Sequence, residues 1–316
     1  MINSIAILLA AGLISLLVTF PLLWLLRLLK AGQPVRTEGP ASHQAKAGTP
    51  TMGGIGFVLT GVIISLILIN VEFHPAYLAL VLLVLAFALI GLADDLVKII
   101  FKRNLGLTFW EKIMLQTLAA GAFAIVLTWL GYNLGAIGII PRLGLYEPLI
   151  YPFFVAFIVV GSANATNLTD GLNGLLSGTG TIALLAFAVL AARAGQPEAA
   201  TFALIFAGAL AAFLYFNFPK ARLFMGDVGS LAVGAALGGL AVILHKELRL
   251  ALIGGVFVLE ALSVIIQVSS YKLFKRRILP MAPLHHSFEL IGVKEWVVVV
   301  GFWVVGLVLA VAGLWI

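Results

Sequence analysis

The residues with the most chemistry to offer are the four aspartates, and the chain has no others: Asp94, Asp95, Asp170 and Asp227. Asp94 and Asp95 close a long apolar run and are followed by Lys98. On a helix, Asp94 and Lys98 are four apart and share a face, and Asp95 and Lys98 are three apart and also meet. Such a triplet is either a local ion pair at a helix end or part of a charged centre. Asp227 stands between Gly226 and Gly229 in Phe224-Met-Gly-Asp-Val-Gly-Ser230. A short carboxylate beside bare backbone suits an oxygen-liganded divalent cation such as Mg²⁺, which takes one or two carboxylates plus phosphate and water. The same residue could instead cap the helix that follows.

Three further stretches carry polar groups. Asn164, Asn167, Asp170 and Asn173 recur every three residues, so a helical turn would line them along one side. They form either a polar cap between two membrane helices or a site; polar groups this dense at membrane depth are costly unless they line a wet cavity. His285, His286 and Ser287 follow the basic run Lys275, Arg276, Arg277. Adjacent histidines diverge and the loop holds no third nitrogen ligand, which favours an anion over Zn²⁺; a lipid-headgroup patch is the plainer reading of the basic run. Lys46 precedes Gly48-Thr-Pro-Thr51-Met-Gly-Gly54, which can offer backbone N–H groups and a cation to a phosphate, although the P-loop order is absent. A flexible turn entering the membrane would read the same way. Glu260 is the one acid well inside an apolar run, either functional or a paired structural group.

The elements that must position these groups are membrane helices. The chain is 62% hydrophobic and 10% charged, whereas soluble domains are about 25% charged. Its apolar runs are continuous, which excludes a β-barrel. With no cysteine there are no disulfides and no thiolate ligands. The expectation is an all-α integral membrane protein, one polytopic domain over 1–316, with ten spans near 4–29, 53–70, 77–93, 112–131, 149–166, 175–193, 199–216, 230–245, 250–273 and 296–315. A small outer-surface hairpin is expected near 132–148. Numbering the loops in order, the odd ones and their flanks carry 15 of the 19 basic residues. The positive-inside rule therefore puts them in the cytoplasm and both termini outside. All four aspartates and the His285–His286 pair then share the cytoplasmic face. Nucleic acid is excluded as a partner for a bilayer-embedded chain, and carboxylates with Mg²⁺ beside basic groups are what phosphoryl transfer needs.

The ordered motifs at 48–54, 94–98, 167–172, 224–230 and 281–289 closely resemble the polyprenyl-phosphate N-acetylhexosamine-1-phosphate transferases, and among them the phospho-N-acetylmuramoyl-pentapeptide transferases. The likeness runs from about residue 27 to 303. It implies a ten-helix homodimer in the bacterial inner membrane, embedded among its lipids. Such an enzyme uses Mg²⁺ to move phospho-MurNAc-pentapeptide from UDP-MurNAc-pentapeptide to undecaprenyl phosphate, giving lipid I and UMP. It further implies that Asp227 ligates Mg²⁺, that Asp94 deprotonates or orients the lipid phosphate, and that Asp95 and Lys98 hold the polar network or phosphates. Asp170 and Asn167 would support the site. Lys46, Asn217 and Phe224 would meet the nucleotide, with Phe224 stacking on uracil, His285 and His286 the sugar-phosphate or peptide, and Thr51 would also bind substrate. Two positions depart from the pattern: Ser287 stands where a third histidine is usual, and Asn173 where an aspartate is usual. Ser287 still forms hydrogen bonds without a positive charge, and Asn173 keeps shape but loses charge. A relative using UDP-GlcNAc and a secondary transporter are the competing readings; transporters place ionisable groups near the midplane, which only Glu260 fits.

Overall fold

A backbone in hydrocarbon must satisfy its own hydrogen bonds, so long apolar runs become helices. The computed structural model describes residues 2–29, 31–32, 48–69, 74–101, 103, 105–133 and 147–316. Among them are twelve helices: α1 (Ile2–Leu28), α2 (Gly54–Ile69), α3 (Pro75–Ile100), α4 (Phe109–Trp129), α5 (Glu147–Thr169), α6 (Leu175–Arg193), α7 (Pro197–Asn217), α8 (Asp227–Ile243), α9 (Glu247–Ile253), α10 (Gly255–Phe274), α11 (Leu284–Leu290) and α12 (Glu295–Trp315). Eight are long and apolar enough to cross a membrane, and α2 and α8 are shorter apolar helices. The only bridge outside helices among the described residues joins Gly32 to Pro50. The hairpin expected near 132–148 falls largely on 134–146, outside the described residues.

Several expected boundaries shift; the spans expected to end at 166 and to begin at 230 reach Thr169 and Asp227, so Asn167 and Asp227 lie on helices rather than in loops. The helix expected over 77–93 runs on to Ile100, so Asp94, Asp95 and Lys98 lie on its last turns rather than in a loop. The helix expected from 112 begins at Phe109, because Thr108 and Glu111 form a reciprocal capping box. The run expected over 250–273 breaks at Gly254 into α9 and α10.

α8 is the axis of the bundle. From Val228 to Ile243 every residue is buried, and α2, α3, α5, α6 and α9 all pack on it. Its small residues make this possible, since close helix approach in membranes needs small side chains at the contact. A Cβ added at Gly234 would strike Thr166 and the Ala163 backbone on α5, and one added at Gly91 of α3 would strike the Asp227 carbonyl. The clamp of α3 and α5 on α8 brings the ends of three helices together. α1, α10 and α12 turn large apolar side chains outward, among them Trp24, Ile265 and Leu307.

The opposite end is closed by polar contacts. Tyr77 Oη donates to Gln196 Oε1 at 2.8 Å, His74 pairs with Glu198 at 3.1 Å, and Tyr132 stacks on His245 at 5.3 Å. Glu247, at the start of α9, is only 5% exposed, and neither carboxylate oxygen has a hydrogen-bond partner. Burial raises its pKa from 4.5 to about 7. The fold therefore favours the protonated form. That stability is fully present below the unfolded pKa and is lost as pH rises through about 7, a cost on the order of 3 kcal/mol. Thermal unfolding in detergent is expected to show wild type losing more stability than Glu247→Gln between pH 5 and pH 8. Parallel pH dependences would contradict this.

Candidate active site

The site is built where α3, α4 and α5 meet the first turn of α8. Asp227 opens α8 after Gly226, whose φ of +75° belongs to the left-handed region that glycine adopts without strain. A Cβ there would also lie 2.5 Å from Asp95 Oδ2 and 3.1 Å from Thr51 Oγ1. Asp95 Oδ2 accepts the Val228 N–H at 3.1 Å, placing a carboxylate on the free N–H groups of the helix start. Asp94 Oδ1 accepts the Leu107 N–H at 2.9 Å, which ties the α3–α4 connection to α3.

Two ammonium groups bind these carboxylates together. Lys98 Nζ lies 2.6 Å from Asp94 Oδ2, 3.7 Å from Asp95 Oδ1 and 3.3 Å from Asp227 Oδ2. Lys112 Nζ, one turn into α4, lies 2.5 Å from the same Asp227 Oδ2. On the other side, Asn167 Nδ2 contacts Asp227 Oδ1 at 3.0 Å and Ser230 Oγ at 2.8 Å. The side chains of Asp94 and Asp95 are 4% and 2% exposed, while Asp227 and Lys112 keep 15% each. The cluster is thus nearly desolvated on its α3 side and open at Asp227, the side from which a ligand can reach it.

Ligand oxygens of Asp94, Asp95 and Asp227 lie within 4.8 Å of one another. This donor set fits Mg²⁺: it is oxygen only, anionic, and open at one carboxylate, which leaves room for the water and phosphate that Mg²⁺ retains. Asp170 follows α5. It keeps some exposed surface, yet its carboxyl is deeply surrounded. That burial, with Asp227 and Asp95 adding to it and Lys98 opposing, holds its pKa well above the usual carboxylate range.

Two other asparagines are held by contacts of their own. Asn217 Oδ1 accepts from Gly174 N at 2.8 Å and from Ser177 Oγ at 3.3 Å, while its Nδ2 donates to Leu223 O at 3.0 Å. Asn173 N donates to Glu295 Oε1 at 2.9 Å and its Nδ2 to Pro219 O at 3.3 Å. The Phe224 backbone is held to the 48–54 segment, donating to Pro50 O and accepting from Gly53 N, both at 2.8 Å. Beyond Asp170, the His285 ring lies against Gly171, where a Cβ would strike Nε2.

A family model described as glycosyl transferase family 4 matches residues 77–245. The chain is similar to the phospho-N-acetylmuramoyl-pentapeptide-transferase of Bacillus subtilis (strain 168), 46% identical over 308 residues, covering 96% of this chain and 94% of that protein. It is likewise 46% identical over 321 residues to the protein of that name from Moorella thermoacetica, covering 100% of this chain and 99% of that one. The chain belongs to the phospho-N-acetylmuramoyl-pentapeptide-transferase family. It is a membrane-type phosphotransferase of that family.

Among the residues picked out in the sequence, the transferase fold brings Asp94, Asp95, Lys98, Asn167 and Asp227 into direct contact, with Thr51 beside Gly226 and Asp170 in their field. Thr51 is 2% exposed and its hydroxyl has no partner. The Asn217 amide bonds to Gly174, Ser177 and Leu223. Ser287 Oγ donates to Met281 O at 2.5 Å and accepts from Met281 N at 3.2 Å, closing the turn before α11. His286 Nδ1 lies 2.8 Å from Glu289 Oε2. Lys46 lies outside the described residues.

Lys112 was not among the expected site residues, only among the loop charges. The signal was the Thr108–Glu111 capping box, which fixes where α4 starts and sets Lys112 one turn inside it. Removing one partner of a buried ion pair leaves the other uncompensated. Lys112→Ala should lower turnover by about 30-fold or more and lower the thermal midpoint, since Asp227 then keeps only Lys98 and Asn167. A near wild-type rate would show Lys112 to be a bystander.

Proposed function

We propose that the protein transfers phospho-MurNAc-pentapeptide from UDP-MurNAc-pentapeptide to undecaprenyl phosphate, forming lipid I and releasing UMP, in a Mg²⁺-dependent reaction on the cytoplasmic face of the bacterial inner membrane. The observation that carries this reading is the convergence of Asp94, Asp95, Lys98, Lys112 and Asn167 on Asp227 at one end of an apolar bundle. There a lipid substrate can enter from the bilayer side and a nucleotide from water. The names of the relatives support the substrate pair, and the bias of basic residues toward the odd loops supports the sidedness.

An oxygen of the lipid phosphate attacks the sugar-bearing phosphorus of the donor. The new P–O bond forms as the bond to the UMP phosphate breaks, and UMP leaves with that electron pair. Mg²⁺, held by Asp227 with Asp94 and Asp95 at hand, would neutralise charge on the diphosphate. Lys98 and Lys112 turn ammonium groups to the phosphoryl oxygens, worth most in a water-poor site. Asp94, at the α3 edge, orients the lipid phosphate and accepts its proton. Asn167 fixes the Asp227 rotamer through the bond that it also shares with Ser230. Asn217 serves the nucleotide indirectly, by tying Gly174 and Leu223 into the loop that presents Phe224 to the base.

The test is UMP release by the purified protein with Mg²⁺, undecaprenyl phosphate and each UDP-sugar. Release with UDP-MurNAc-pentapeptide, lost by about 100-fold or more in Asp227→Ala and Asp94→Asn, is expected. Release with UDP-GlcNAc instead would move the chain's activity to that relative, and no release from either donor would leave a transporter.

A further inference from the structure

α4 turns large apolar side chains outward, among them Trp110, Met114, Leu115 and Leu118. Gln116 points the other way and is 0% exposed. It stands four residues beyond Lys112, on the same helix face. Asn164 Nδ2, on α5, donates to Gln116 Oε1 at 2.7 Å and to the Val160 carbonyl of its own helix at 2.8 Å. Asn164 stands three residues before Asn167 and shares its face. The facing sides of α4 and α5 therefore carry two polar rungs. At the first, Lys112 reaches Asp227 Oδ2 and Asn167 reaches Asp227 Oδ1. At the second, one turn deeper in the bundle, Gln116 and Asn164 meet each other.

Stability alone does not account for the second rung. Gln116 Nε2 is buried without a hydrogen-bond partner, and an unmet buried donor costs more than one bond between membrane helices returns. Polar pairs that weigh against stability are retained where they fix the register of one helix on another. Register matters at this place. α4 packs on α3 and α5, yet Lys112 must reach a carboxylate that belongs to α8. A slide or rotation of α4 on α5 would draw the ammonium away from Asp227 while leaving the outward apolar face of α4 equally well satisfied.

We propose that Gln116 is a positioning residue for the transfer: by its bond to Asn164 it fixes the register of α4 on α5 and so delivers Lys112 Nζ to Asp227. The catalytic part rests on the transfer reading above; the hold of Gln116 on the helix register does not. Gln116 itself touches neither substrate nor metal.

The experiment uses the full chain in detergent. The chain has no cysteine, so spin labels can be placed on cysteines substituted for Leu118 of α4 and Phe157 of α5, both exposed, and their separation read by electron paramagnetic resonance. Gln116→Met keeps the side-chain length, removes the unmet donor and leaves Asn164 Nδ2 its bond to Val160. It should broaden or displace the distance distribution and lower kcat about 3–10-fold, with KM for both substrates within about 2-fold. In the Lys112→Ala background the same substitution should lower kcat no further, because Gln116 acts through Lys112. Exchanging the pair, Gln116→Asn with Asn164→Gln, keeps the combined reach and should restore both the distribution and kcat. If Gln116→Met does not fold, wild-type values in the exchanged pair support the proposal and altered ones overturn it. An unchanged distribution in Gln116→Met overturns it, as does a wild-type kcat or a loss that adds in full to that of Lys112→Ala. If wild type releases no UMP, the transfer reading falls, while the distance measurement still decides whether Gln116 sets the register of α4.

Discussion

Asp227 is a carboxylate at the mouth of a helix that has no exposed residue beyond it, and the site depends on how that charge is satisfied. In a medium of low dielectric constant a lone carboxylate is untenable, while a paired one binds its partners strongly. The pairing requires α3 and α4 to bring Lys98 and Lys112 to a single oxygen, and α5 to bring Asn167 to the other. It also requires α3 to approach the α8 backbone closely enough that Gly91 tolerates no side chain. The closeness of the bundle and the chemistry of the site are therefore one constraint. Three carboxylates face two ammonium groups, and the unbalanced negative charge is what invites a cation.

Around this centre, several polar residues serve by bracing others. The Asn217 amide joins the start of α6 to the loop before α8. Ser287 closes the turn at Met281. Glu260 Oε2 lies 3.2 Å from His285 Nδ1. Each is buried, and each meets a backbone group or a side chain of another residue. Interior polar groups of this kind are stable only when paired. Their presence fixes loops that would otherwise be free to choose among conformations, so the groups facing the ligand meet it in one arrangement.

The helical architecture was legible from composition because bilayer thickness dictates the length of an apolar run. The Lys98 contacts were legible too, since three- and four-residue spacings on a helix allow little else. Lys112 was not legible as a site residue: its partner is 115 residues away, and only the packing of α4 on α3 and α5 decides that they meet. The end of α3 was misplaced because its last turns are charged on the face turned inward, and charge after an apolar run reads as a loop. The break at Gly254 was missed because the residues on both sides are equally apolar. The internal bonds of Asn217 to Gly174 and Leu223 and of Ser287 to Met281 were not legible either, since they depend on how the turns fold back.

We propose that Asp227 organises a divalent cation together with Asp94 and Asp95. Mn²⁺ substitutes for Mg²⁺ at oxygen sites and reports directly by electron paramagnetic resonance. Titrated into the full-length protein in detergent with the UDP-sugar donor present, Mn²⁺ should bind stoichiometrically to wild type and to Asn173→Asp. Asp227→Asn should weaken it by about 10-fold or more. Binding to Asp227→Asn as tight as to wild type would contradict the account.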